Sequence, residues 1–313
     1  MLFEFSTFDI YLSISRACFS AIFSGKFFIA VRCKKLHSDA KNSKGLRAKN
    51  MKLAITTKQI ALTAVFAAIY AVLRIVPTVP MIGVPGASFS LSDILAPIYG
   101  IILGPYVGGA SVLIGTFTAM SAKAPVFLGL DFLPGFVNAV ALGFLVRRKW
   151  LPVIGLNVVL LLAFVLNPLT LNFVNISLGN INTVFPFMWL HIAALIVLIS
   201  PLGLKATRWI DAAKSSTAIA GFAILAFIGT MMQHLMGNIL YENIFVYVTN
   251  IMTPESIALR WQLVFFLYPW ERLILIVLAV AVGVPLIRAL KKTALIPAKK
   301  AAPTPQPAQP TIS

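Results

Sequence analysis

From Lys58 onward the sequence is a succession of apolar runs, at about 59–76, 91–103, 105–122, 132–146, 152–171, 184–200, 217–240 and 262–288. One helix needs about 20 predominantly apolar residues to cross the bilayer core. Such runs in series predict an all-α, polytopic transmembrane helical bundle of about eight helices. Composition agrees, since 59% of the residues are hydrophobic and 11% charged, against about 25% charged in a soluble domain. The runs at 91–103 and 132–146 are short for a full span. Pro and Gly at their edges predict tilted or partly re-entrant helices.

The formal net charge of +17 would suggest nucleic acid if the basic residues were clustered on a polar domain. They sit instead at the ends of apolar runs and in the terminal segments. There, positive charge fixes orientation and meets anionic lipid headgroups. The expected partner is the lipid bilayer, with no nucleic acid. Alternating the spans from a cytoplasmic start puts Arg147, Arg148 and Lys149, then Lys205, Arg208 and Lys214, then Arg288, Lys291 and Lys292 all inside. This predicts a multi-pass protein of the cell membrane with both ends cytoplasmic.

Three readings stay open for residues 1–50, a basic extension holding Cys18 and Cys33. It is an extra or signal-like membrane segment, a flexible basic arm, or sequence upstream of a natural start at Met51. Two cysteines there provide neither a disulfide framework nor a Cys-rich metal site. The membrane domain is expected over 51–290. The stretch 291–313, rich in Ala, Pro and Gln, reads as a disordered cytoplasmic tail.

The most informative segment runs Phe89-Ser-Leu-Ser-Asp-Ile-Leu-Ala-Pro-Ile-Tyr-Gly-Ile-Ile-Leu-Gly-Pro-Tyr-Val-Gly-Gly-Ala-Ser. Gly100, Gly104 and Gly108 recur every fourth residue, and Ser111 and Gly115 continue the series. At helical spacing they form a bare stripe that lets another backbone approach. Pro105 breaks the run into two helices joined by a tight turn. Here, over about residues 58–148, the chain resembles the substrate-binding (S) components of energy-coupling factor vitamin transporters. The resemblance rests on an Ala-rich first helix, an outer loop, an Asp-Ile-Leu-Ala-Pro entry and a Gly-Pro hairpin. It implies a core of six helices, against eight runs counted here. It also implies a small-molecule substrate of the vitamin kind, a transmembrane coupling subunit and separate ATPase subunits. Ala64 and Ala68, with Ala67 and Ala71 beside them, match the Ala-x-x-x-Ala face that docks the coupling subunit in that family.

Polar residues at membrane depth must pair or face a cavity. His234, Asn238 and Glu242 fall on one helix face, with Gln233 adjacent; they line a ligand cavity or bond neighbouring helices, with Glu242 solvated at the helix end. Asp93 and Asp131 suit helix N-termini or border a site, and Arg74 is expected to pair with Asp93 or Glu271. Trp270, Glu271 and Arg272 open the last run near Trp261 and Tyr268. The aromatics fit an interfacial belt. Of the two adjacent charges, at least one should turn inward. Asn167, Asn172, Asn175, Asn180 and Asn182, followed by Trp189 and His191, form an outer stretch able to offer amides and aromatic rings to a ligand.

No G-x-x-x-x-G-K-[ST], H-E-x-x-H, Cys-x-x-Cys or G-x-S-x-G motif occurs in the sequence, so P-loop ATP hydrolysis and zinc-protease or serine-hydrolase chemistry are not indicated. The chain is read as no enzyme, with no cofactor and no metal. The leading expectation is a membrane-embedded solute-binding subunit. A self-contained secondary transporter would call for inverted repeats and acidic residues at span centres. A membrane scaffold would use its polar residues only to hold helices together.

Overall fold

A computed structural model describes residues 56–178 and 181–292. The extension at 1–50, Asn180 and nearly all of the tail from 291 lie outside the described residues. Helix α1 (Thr57–Ile75) opens with a reciprocal cap. The Thr56 hydroxyl accepts the Gln59 N–H at 3.3 Å, and the Gln59 side chain accepts the Thr56 N–H at 3.0 Å, which satisfies two orphan donors of the first turn. A short hairpin of β1 (Pro77–Pro80) and β2 (Ser88–Ser90) follows, then a single 3-10 turn that runs into α2 (Leu95–Ala119). Next come α3 (Leu133–Val146), α4 (Trp150–Val165), a second antiparallel hairpin of β3 (Phe173–Leu178) and β4 (Ile181–Pro186), α5 (Trp189–Ile199) and α6 (Pro201–Trp209). Helix α7 (Ser215–Glu242) ends in a π-helical turn over Asn243–Val248, and α8 (Pro254–Lys292) closes the described chain.

The described residues hold eight α-helices, but not the eight runs expected. The second and third runs form one element, α2, folded sharply at Gly104. Gly104 has φ 79° and ψ −178°, a region that only glycine occupies freely. In a straight helix residues nine apart are about 13 Å apart along the axis. Here a Cβ on Gly108 would lie 2.7 Å from the Tyr99 carbonyl oxygen, so the two arms of α2 run back along each other. The small-residue stripe serves that close approach. Ser111 donates to the Thr63 carbonyl of α1 at 3.4 Å, and a Cβ on Gly115 would meet the Ala67 carbonyl oxygen at 2.7 Å.

The fifth run, expected to reach residue 171, stops at Val165. Asn167-Pro168 follows, and a residue before proline is pushed out of the helical region. The sixth run begins only at Trp189, because the residues before it pair as β4. Helix α6 lies where a loop was expected, packed through Gly203, Ala206 and Thr207.

Four helical stretches are long and apolar enough to cross a membrane, or five if the pair α5 and α6, bent by 74°, is one span. One of the four is the folded α2, whose arms on either side of Gly104 reach only about 14 Å and about 22 Å. Large apolar side chains such as Val65, Val72, Leu162, Ile196, Leu263 and Ile274 cover the outside, as lipid-facing surfaces do.

Charge divides the bundle lengthwise. Gly104 meets the Arg147 guanidinium, and the Arg288 guanidinium donates to Ser215 at 2.9 Å. The basic α3–α4 loop, the start of α7 and the end of α8 therefore share the end at which α2 turns. The other end carries the cavity.

Candidate functional site

A cavity of about 130 Å³ opens at that second end. Its walls come from the last turn of α1, the 3-10 turn before α2 and the end of α2, the start of α3, the last third of α7 and the first half of α8; its roof comes from the β1–β2 hairpin and the loop 120–131. Helices far apart in the sequence thus converge on one chamber, apolar over most of its wall and set with a few charged and amide groups.

Arg74, at the end of α1, pairs with Asp131 at 3.5 Å and also donates to the Asp131 carbonyl at 3.2 Å and to the Ser90 hydroxyl at 3.5 Å. Neither Asp93 nor Glu271 is its partner, contrary to expectation. Loop 120–131 folds back over α1 and brings Asp131 to it. Nor does Asp131 cap α3. Its two carboxylate oxygens accept the backbone N–H groups of Val126 and Phe127, each at 2.9 Å, so it braces the loop that precedes the helix.

Asp93 does act at a helix start, accepting the Ser90 N–H at 3.4 Å. Its other oxygen accepts the Gln233 amide of α7 at 3.0 Å, and Gln233 in turn accepts from Asn138 of α3 at 2.7 Å. The start of α2, α3 and α7 are tied by this chain, and Asp93 and Gln233 both face the cavity. Lys123 reaches in from loop 120–131 and donates to Ser88 of β2 at 3.1 Å. Burial, then the charge of Arg74, hold its ammonium below the ordinary lysine value.

Helix α7 contributes His234 and Asn238. The Asn238 side-chain nitrogen is buried and has no hydrogen-bond partner. His234 Nδ1 lies 3.0 Å from Nε2 of His191, with the two rings stacked 5.2 Å apart and Tyr268 stacked beside both. His191 stands behind His234 rather than on the cavity wall. Trp261 and Tyr268 are buried, not interfacial. Trp261 donates to the Leu169 carbonyl and Tyr268 to the Phe187 carbonyl. Glu271 and Arg272 both line the cavity and pair with each other, so both turn inward where at least one was expected to. Arg272 is 4% exposed.

Other expected site residues stand apart. Glu242, expected at a solvated helix end, is fully buried at 0% exposure and joined to Asn167 and Thr170, each at 2.6 Å. Asn172 donates to the Val165 carbonyl at 3.2 Å, while Asn175 and Asn182 lie on the exposed β3–β4 hairpin. The asparagine stretch therefore does not reach the cavity. Trp270 is 67% exposed and borders a separate apolar groove on the flank with Phe185, Trp189 and Phe266. Ala64 and Ala68 are exposed on the outer face of α1, whereas Ala67 and Ala71 are buried against α2.

Among the described residues no three His, Cys, Asp or Glu side chains gather closely enough to hold a metal ion. The arrangement offers both signs of charge, amides and aromatic faces in one enclosed space, which suits recognition of a small polar molecule. Compared with protein-family models, with curated proteins and with solved structures, the chain matches none.

Proposed function

We propose that this chain is a membrane-embedded solute-binding transport subunit, inserted as a multi-pass bundle in the cell membrane with the cavity end facing outward. The observation that carries the reading is the cavity itself. Arg74, Asp93, Lys123, Asn238, Glu271 and Arg272 converge on it, and charged groups at membrane depth are retained where they meet a ligand, an ion or one another. The basic loops at the opposite end support the orientation through the positive-inside rule. α1 begins and α8 finishes at that basic end, which supports cytoplasmic termini.

The solute enters from outside, is held under the β1–β2 hairpin and loop 120–131, and moves inward as the subunit reorients against a coupling partner. Energy comes from separate ATPase subunits, as the resemblance to energy-coupling factor S components implies. The exposed Ala64 and Ala68 face supports a docking role for α1. The protein performs no covalent chemistry of its own.

Mass spectrometry of the gently purified protein tests the reading by looking for a copurifying small molecule. One is expected, and it should be lost in Asn238→Leu. No small molecule, together with uptake in cells unchanged by Asn238→Leu and Asp93→Asn, would overturn it. Ion-driven uptake by the isolated chain in liposomes would replace it with a secondary transporter.

A further inference from the structure

The charges around the cavity form a ledger, and two of them are left over. Arg74 is taken by Asp131, whose oxygens are also committed to Val126 and Phe127. Arg272 is taken by Glu271. Asp93 receives only neutral donors, the Ser90 N–H and the Gln233 amide. Among the described residues no cation lies within 4 Å of Asp93 and no carboxylate within 4 Å of Lys123. The hydrogen bond from Lys123 to Ser88 uses one of its three N–H groups. One carboxylate and one ammonium thus line the same cavity with no ion pair to either, attracting each other only at longer range.

A third group points the same way. Asn238 is 6% exposed, and its side-chain nitrogen has no acceptor. A buried donor left unmade is costly, and this one lies on the cavity wall. A ligand oxygen would satisfy it.

We infer that the solute is a small zwitterion, whose ammonium is held by Asp93 and whose carboxylate is held by Lys123 with the Asn238 amide. This rests on the solute-binding reading above and names the class of solute. A solute of net charge would leave Asp93 or Lys123 uncompensated in a partly desolvated space. A neutral one would leave the two with only their mutual longer-range attraction. The volume of about 130 Å³ is well below the roughly 300–1,000 Å³ of drug-sized sites, so the zwitterion is compact. The rings of Tyr241, Trp261 and Tyr268 beside the polar groups accommodate its apolar part.

The test uses the full chain in lipid nanodiscs and isothermal titration calorimetry. The probes are the proteinogenic α-amino acids and the ω-amino acids from glycine to 6-aminohexanoate, each with its matched carboxylate and amine lacking the other charge. A zwitterion should bind, and each singly charged analogue should bind on the order of 10- to 100-fold more weakly, the loss of one charge-assisted hydrogen bond. Asp93→Asn should erase the advantage of the zwitterion over the carboxylate analogue and keep that over the amine. Lys123→Gln should do the reverse. Each variant is checked for an unchanged gel-filtration profile, and wild-type analogue binding decides the matter if a variant fails to fold.

Equal binding of a singly charged analogue by the wild-type protein, or no binding by any probe, overturns the inference. A copurifying solute that is not a zwitterion also overturns it, yet leaves the solute-binding reading intact. Absence of both probe binding and a copurifying solute, with uptake in cells unchanged by Asn238→Leu and Asp93→Asn, removes the two together.

Discussion

Thr170 sits between two oxygens. Its hydroxyl oxygen is 2.6 Å from the Phe164 carbonyl and 2.6 Å from a carboxyl oxygen of Glu242. Glu242 accepts from the Thr170 hydroxyl and, through its other oxygen, from the Asn167 amide, so a carboxyl that water does not reach is held by two neutral donors. Glu242→Gln keeps the acceptor for Asn167 and should lower the melting temperature less than removal of the side chain does. Glu242→Ala strands Asn167 and should cost about 1–3 kcal/mol, read as a lower melting temperature of the detergent-solubilised protein. The sequence marks Glu242 as notable through its helical spacing from His234 and Asn238, and that face is real for His234 and Asn238, which do line the cavity. It cannot show that Asn167-Pro168 returns the chain onto Glu242 and seals it. Lys123 escapes notice as a site residue for a related reason. In a linear reading it is only a charge in an outer loop, and its inward course depends on the contact with Ser88, which no local pattern encodes.

Gly104 is the element-scale counterpart. A side chain there would require a backbone conformation worth about 1–3 kcal/mol of strain and would place Cβ 2.8 Å from the Arg147 guanidinium. Gly104→Ala should lower the melting temperature accordingly. Gly155, inside α4, is the control, because a Cβ added there would meet nothing within 4 Å. Gly155→Ala should be neutral or stabilise by up to about 1 kcal/mol. The Gly104-Pro105 break is legible in the sequence because both residues act through local backbone sterics. The β3–β4 hairpin is equally local. Phe173-Val-Asn-Ile-Ser-Leu and Ile181-Asn-Thr-Val-Phe alternate with a period of two around a Gly-Asn pair, a two-residue hairpin signal. Surrounded by long apolar runs, that segment nonetheless reads as polar loop followed by the start of a helix. Helix α6 is hidden for the opposite reason. Lys205 and Arg208 on its outer side make it look like a basic connection, although its small residues pack inward.

For the whole molecule, the division of charge between the two ends makes the orientation measurable. With Cys18 and Cys33 replaced by serine, a cysteine at Ser121 should react with a membrane-impermeant maleimide added to intact cells, and one at Lys149 should react only after permeabilisation. Equal labelling of both would contradict the proposed insertion. The outer face of α1 gives a second measurement. Ala64 and Ala68 are exposed, so Ala64→Leu with Ala68→Leu should shift stability by no more than about 0.5 kcal/mol. The same pair should abolish copurification with a coupling subunit. A mechanical consequence follows from Arg74. It ties the end of α1 to Ser90 beside one half of the roof and to Asp131 at the root of the other, and Lys123 laces the two halves together through Ser88. Helix α1 is thereby joined at one end to both halves of the cavity roof while its other face is exposed, so a tilt of α1 would load the contacts at the cavity mouth.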